Sequence, residues 1–271
     1  MEKIKQDEFH RLVEYMRACY GINLEQKQML VEGRLWNVIM DRGFGTLDEY
    51  FQFVLNDPAG QEIQTLVARL TTNYTYFMRE EQHYHFLADR VLPELAEAVR
   101  NRDLCIWSAG CSSGEEPYTM AMVLDDFFGA QKYEWDCTVL ATDISSQVLQ
   151  AAAEGIYSEE KLQGISPEWR KRYFSRVEES VYVVKPELRQ SVVFRSFNLM
   201  EPVMPWRRKM HIIFCRNVMI YFNKETRDSL VERLYDALLP GGYLFVGLSE
   251  TINKRDSRFT FVKPSIYRKE G

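Results

Sequence analysis

Apolar positions recur at helical spacing through the first third of the chain and gather into short runs after it. Phe9, Leu12, Val13, Tyr15 and Met16 fall three and four apart, the period that places side chains on one helical face. After the break Tyr20-Gly21-Ile22-Asn23 the pattern resumes over Leu24 to Met40 through Met29, Leu30, Leu35, Trp36 and Ile39. Gly43-Phe44-Gly45-Thr46 predicts the cap of a third helix from about Leu47, and the turn Asp57-Pro58-Ala59-Gly60 precedes a fourth, about Gln61 to Leu70. We expect a helical N-terminal domain over residues 1–75, a linker helix over 76–90 and a second domain over 91–271.

From Leu104 onward the apolar runs are short. Leu104 to Trp107, Thr138 to Thr142, Val192 to Phe197, His211 to Cys215 and Tyr243 to Gly247 are the strand candidates, with helices near Glu116 to Phe128, Ser146 to Glu154 and Lys224 to Leu239. This alternation predicts an α/β fold with a doubly wound parallel sheet that binds ligands at the carboxyl ends of its strands. The tail from Arg258 to Arg268 fits a final antiparallel hairpin. Between Gly155 and Gln190 the pattern loosens. A partly helical Ser158 to Phe174 and a short strand Val181 to Val184 suggest a small inserted β-subdomain over about 156–192.

Composition adds mainly exclusions. The chain has 271 residues, 46% hydrophobic and 27% charged, enough for one large core or two unequal domains. A net charge of −5 gives no nucleic-acid footprint. The five cysteines are scattered without a C-x-x-C pair, as reduced thiols of a cytoplasmic protein would be. Met1 to Glu8 has no apolar signal core, and no run approaches the ~18 apolar residues of a membrane span, so membrane insertion is not expected.

The candidate chemistry centres on Leu104 to Tyr118, read as strand, glycine turn and helix start. Gly110 and Gly114 permit a backbone path closed to other residues, and Pro117 suits a first helical turn. Helix-start N–H groups favour anions, but Glu115 and Glu116 follow at once. That argues against phosphate and for a cation or a sugar hydroxyl, as in a sulfonium nucleoside. Gly110-Cys111-Ser112-Ser113-Gly114 also satisfies the G-x-S-x-G pattern of a hydrolase elbow. Of the four histidines only His211 follows Ser112, and it opens a strand-like run rather than a late loop.

Other positions add to this centre. Asp143 ends the second strand, where an acid in dinucleotide-type folds bonds ribose hydroxyls; it also suits a helix N-cap. Cys215-Arg216-Asn217-Val218-Met219-Ile220-Tyr221-Phe222 puts polar residues at the end of the fourth strand, and Asn198-Leu199 ends the third. In the polar and aromatic segment Thr71 to Glu80, the residues Asn73, Thr75 and Arg79 either cap a helix or converge on a ligand. His83 and His85, two apart, make a poor metal pair, and no metal site is expected. Lys27 and Arg34 share a helical face, a solvated one or a contact surface for an acidic partner.

Together, Thr71 to Glu80, Ser108 to Tyr118, Ala141-Thr142-Asp143-Ile144, Phe214 to Phe222 and Leu239 to Leu244 resemble the chemotaxis receptor glutamate O-methyltransferases, the CheR family, in order and spacing. The resemblance implies a helical domain on an S-adenosylmethionine-dependent, Rossmann-like methyltransferase sheet. It puts Asn73, Thr75 and Arg79 at the methionine end of the cofactor and Glu116 and Asp143 at the nucleoside. Asn198, Leu199, Arg216 and Asn217 would line the floor, Ala109 and Gly110 complete the cofactor set, and Arg79 and Tyr221 stand nearest the transferred methyl group. The implied acceptor is a glutamate on the cytoplasmic helical bundle of a chemoreceptor, and the products are a glutamyl methyl ester and S-adenosylhomocysteine. Some members dock a receptor C-terminal peptide through a glycine-containing β-subdomain loop; here Arg176 to Tyr182 is short and has no glycine, so no such tether is expected. The alternatives are a cofactor-binding signalling module without turnover and a methyltransferase with another protein acceptor.

Overall fold

A computed structural model describes residues 4–71, 73–253 and 257–270 of the chain. Residues 1–3 of the leader reading, and Thr72 of the polar and aromatic segment, lie outside them. Four helices open the chain, α1 (Gln6–Tyr20), α2 (Gln28–Asp41), α3 (Leu47–Leu55) and α4 (Gln61–Leu70). Leu12, Met16, Val31, Leu35, Ile39, Tyr50 and Leu66 form their shared core. Thr46 caps α3 by accepting the Glu49 N–H. The second helix starts at Gln28, four residues later than its apolar spacing suggests, and Met29 stands 86% exposed. A periodicity counts apolar residues but does not say which of them find a partner.

The linker drawn over 76–90 is not one helix. Residues 77–81 turn, and the chain then runs through α5 (Gln82–Phe86), a π-turn at Leu87–Val91 and α6 (Leu92–Ala98), past the expected boundary. His83 is buried there against the rings of Phe214 and Phe245, while His85 is exposed.

The sheet joins β1 (Ile106–Ala109), β2 (Val139–Asp143), β6 (Val192–Ser196), β7 (Met210–Cys215), β8 (Leu238–Val246), β9 (Thr260–Lys263) and β10 (Ile266–Arg268) in the order β6-β2-β1-β7-β8-β10-β9. Pairing is parallel from β6 to β8, and the β9–β10 hairpin closes the edge antiparallel. Helices α7 (Glu115–Phe128), α8 (Ser146–Glu154) and α11 (Lys224–Ala237) make the crossovers. Strand β1 lies two residues beyond its predicted start. Strand β8 takes up Leu238 and Leu239, which the helical pattern had claimed for α11.

The insertion holds three strands where the sequence suggested one: β3 (Ile156–Ser158), β4 (Phe174–Glu178) and β5 (Val181–Val184), ordered β3-β5-β4, with α9 (Pro167–Tyr173) between β3 and β4 and α10 (Pro186–Arg189) after β5. The helical unit meets the carboxyl edge of the main sheet. Ile22 bridges Phe222, the Asn23 N–H donates to the Tyr221 carbonyl at 2.8 Å, and the Asn198 amide donates to the Cys19 carbonyl at 2.8 Å. Among the described residues no helix is long and apolar enough to cross a membrane.

Candidate active site

A cavity of about 300 Å³ opens at the carboxyl ends of β1, β2, β6 and β7. The segment 73–79 walls one side, and Tyr20 and Ile22 of the helical unit close another. Asn73, Thr75, Arg79, Gly110, Glu116 and Asp143 line it, as do Asn198, Leu199, Arg216, Asn217 and Tyr221. Ala109 does not: its side chain is wholly buried in β1 behind the wall. Strand alternation turns it into the core while its neighbour Gly110 reaches the opening.

The glycine turn is fixed by contact. Gly110 has φ 86°, and a Cβ there would stand 2.4 Å from Val218 Cγ2. At Gly114, with φ 95°, a Cβ would meet the Tyr157 hydroxyl at 2.8 Å. The two acids after the turn part company. Glu115 is fully buried on the far side, bonded to Lys161 Nζ at 2.9 Å and to the Ser113 hydroxyl at 2.7 Å. Only Glu116 faces the cavity.

Asp143 accepts the Ser112 N–H at 2.9 Å and the Ser145 N–H at 3.0 Å. It is not the N-cap of α8, a place held by Ser145. The Ile144 N–H also bonds Asp143, and since a carboxylate has about four acceptor sites, capacity is left for a hydroxyl. Burial raises the Asp143 pKa, and the backbone N–H groups oppose that rise.

Below the opening, Arg216 sits with only 1% of its side chain exposed, between two carboxylates. It donates to Glu80 Oε2 at 3.1 Å, to Glu116 Oε2 at 3.1 Å and to the Tyr84 hydroxyl at 2.9 Å, and it also bonds the Arg79 carbonyl. Glu116 is further bonded by the Ser108 hydroxyl at 2.7 Å. Burial raises the Glu116 pKa against the pull of Arg216. For Glu80, burial is overcome by Arg216 and by the Leu248 and Asn217 donors, and the pKa falls. Two carboxylates on one guanidinium leave a formal charge of −1 under the cavity, to which Asp143 adds. Such a floor suits a cationic, hydroxyl-bearing ligand and disfavours a phosphate.

The mouth has the opposite sign. The Arg79 guanidinium lies 5.9 and 6.0 Å from the Tyr74 and Tyr76 ring centres and donates to the Tyr74 carbonyl at 2.7 Å. Tyr221 ends a short 3₁₀ turn, with Lys27 Nζ 5.7 Å from its ring centre. Arg34 is engaged elsewhere, donating to the Arg69 and Thr71 carbonyls at the end of α4. Ser112 (φ 48°) and Asn217 (59°) of the lining, and Met78 (60°) and Glu80 (58°) on either side of Arg79, are non-glycine residues in the left-handed region. Each costs on the order of 1–3 kcal/mol, and such strain concentrates at functional sites.

The hydrolase reading fails on geometry. The Ser112 hydroxyl donates to the Asn73 carbonyl at the carboxyl edge of the sheet, while His211 Nδ1 accepts the Cys105 N–H at the opposite end. Sequence reasoning missed Glu80, Tyr84 and Glu250. The only available signals were the position of Glu80 directly after Arg79 and that of Glu250 just past a strand end.

Comparison with known proteins agrees with this geometry. Residues 7–71 match the CheR methyltransferase all-alpha domain, and residues 73–268 match the CheR methyltransferase SAM-binding domain. A chemotaxis protein methyltransferase of Borreliella burgdorferi is 38% identical over 270 residues, covering 98% of this chain and 95% of that one. Chemotaxis protein methyltransferase 1 of Pseudomonas aeruginosa is 36% identical over 94% of both chains, and the chemotaxis protein methyltransferase of Escherichia coli is 34% identical over 96% of this chain and 89% of its own. With a carboxylate-rich floor fitted to a sulfonium nucleoside, and family domains matched over nearly its whole length, this chain belongs to the CheR family of methyltransferases and its cofactor is S-adenosylmethionine.

Proposed function

We propose that the protein methylates glutamate side chains on the cytoplasmic helical bundle of a chemoreceptor, giving glutamyl methyl esters in chemotactic adaptation. The observation that carries this reading is the polarity of one cavity, with carboxylates Glu116 and Asp143 on its floor and Arg79 and Tyr221 at its mouth. Asp143 and Glu116 are suited to the cationic nucleoside, and Arg79 to an anionic acceptor. When bound, S-adenosylmethionine supplies a methyl group on a positively charged sulfur.

A glutamate acceptor, with a reference pKa of about 4.3, is already ionised at neutral pH and is its own nucleophile. The protein's task is alignment to a near-attack distance of roughly 3–3.5 Å. Arg79, steadied by the Tyr74 carbonyl, holds one carboxylate oxygen, and the Tyr221 hydroxyl orients the acceptor from the other wall. Asn73, Thr75, Asn198, Leu199 and Asn217 shape the cofactor's surroundings, with Gly110 allowing close backbone approach. Such a receptor would be met in the cytoplasm.

The β-subdomain turn between β4 and β5 is closed by Arg176, which donates to the Glu178 carbonyl at 3.1 Å and also bonds that of Glu179. A turn so filled supports action without a receptor C-terminal tether. Deleting the receptor tail should leave its methylation rate within about twofold.

The test is transfer of labelled methyl to receptor cytoplasmic fragments by the wild type and by Tyr221→Phe, with the label released by mild base. Base-labile label on glutamates, strongly reduced in the variant, is the expected result. Tight cofactor binding with no receptor labelling would instead favour another acceptor or a signalling module without turnover.

A further inference from the structure

Glu250 lies just beyond β8 and is 5% exposed, yet no cation bonds its carboxylate among the described residues. Its partners are main-chain N–H groups, among them Gly247 at 2.6 Å and Asn217 at 2.8 Å on Oε2, and Ile220 at 3.2 Å on Oε1. One buried acid thus spans two strand ends, its own after β8 and the loop 217–221 after β7. That loop carries Asn217 in the left-handed region and ends in the 3₁₀ turn that presents Tyr221. A backbone of this shape leaves N–H groups that no strand can pair, and a buried N–H without a partner is costly. Gly247 completes the fit, since a Cβ there would stand 2.5 Å from Asn217 Nδ2 and 2.9 Å from Glu250 Oε2.

We propose that Glu250 is a positioning residue for methyl transfer, a carboxylate clamp that fixes the loop 217–221 and through it the placement of Asn217 and Tyr221. The proposal rests on the reading of this cavity as the methyl-transfer site. Glutamine keeps the shape of the side chain but offers one acceptor oxygen. It can serve the Gly247 and Asn217 pair only by turning its NH₂ group toward the Ile220 N–H. Glu250→Gln therefore releases the turn that carries Tyr221 while leaving the sheet in place.

Two readouts test this on the full chain. In amide hydrogen exchange of Glu250→Gln, Ile220 should exchange at least tenfold faster than in the wild type, with Ile213 and Leu244 in β7 and β8 unchanged. In receptor-fragment methylation, kcat should fall at least tenfold while the S-adenosylmethionine Kd stays within threefold. Unchanged exchange at Ile220 would overturn the clamp, and faster exchange with unchanged kcat would overturn its role in the reaction. Gly247→Ala disturbs the same contact from the other side and should reproduce both effects if Glu250→Gln does not fold. A Tyr221→Phe variant with wild-type kcat would remove Tyr221 from the proposed function, yet leave the Glu250 clamp to be decided by the first two measurements.

Discussion

Arg216 gathers more charged contacts than its neighbours at the floor of the cavity, and its substitution shows how the charges there depend on one another. Arg216→Met would keep most of the volume and leave Glu80 and Glu116 buried without a counterion. Breaking a buried pair by removing one partner costs about 3–5 kcal/mol, and a loss of that size is expected in urea unfolding. Asp143 and Tyr221 separate binding from turnover. Asp143→Ala removes the acceptor of the Ser112 and Ser145 N–H groups as well as the acid facing the cavity. Calorimetry should show S-adenosylmethionine binding weakened at least tenfold. Tyr221→Phe should leave that affinity within about threefold and reduce methyl transfer at least tenfold. Equal cofactor affinity in the wild type and Asp143→Ala would sink the assignment of Asp143 to the nucleoside.

Among the elements, the β1–α7 turn is the most tightly determined. It needs the left-handed region at Gly110, where an alanine would cost roughly 1–2 kcal/mol. It also needs the space that Val218 already fills. Gly110→Ala should therefore destabilise the fold and weaken cofactor binding together. Adding Val218→Ala removes the clash but not the backbone cost, so binding should recover in part while stability stays below that of the wild type. The turn itself was legible in the sequence, because two glycines between a short apolar run and an acidic helix start allow few other readings. What each acid does there was not. Glu115 and Glu116 are chemically identical neighbours, and the roughly 100° step between adjacent helical positions sends one to Lys161 and the other to Arg216.

For the whole molecule, the junction between helices and sheet decides both the site and part of the stability. His83, packed between the linker and the sheet with Nε2 3.2 Å from the Ser265 hydroxyl, has its pKa lowered to about 4, first by burial and then by Arg216. Between pH 6.5 and 4 the unfolded chain then holds a proton that the folded one does not. Stability should fall as the pH drops through that window, by roughly 3 kcal/mol for this group. His83→Gln removes the titration, so its urea midpoint should vary less between pH 7 and 4 than that of the wild type.

The sequence by itself determined the order and type of the main elements, since helical and strand periods and glycine turns are local properties. It also brought Gly110, Asp143, Asn198, Leu199, Arg216 and Asn217 to the cavity, because in a doubly wound sheet whatever follows a strand comes to the same edge, whereas Tyr20, Ile22 and Phe197 joined the lining without being expected there. Tertiary structure alone decided which of the candidate residues remain available to a ligand. Arg34 serves the end of α4, Ala109 faces the core, and the Asn198 amide is bonded to the Cys19 carbonyl of the helical unit. It also brought in Glu80, Tyr84 and Glu250 from segments with no distinctive spacing. Burial and hydrogen-bond partnership are set by contacts between residues far apart in the chain, and Arg216 meets Glu80 across 136 positions. No period along the chain encodes a meeting of that kind.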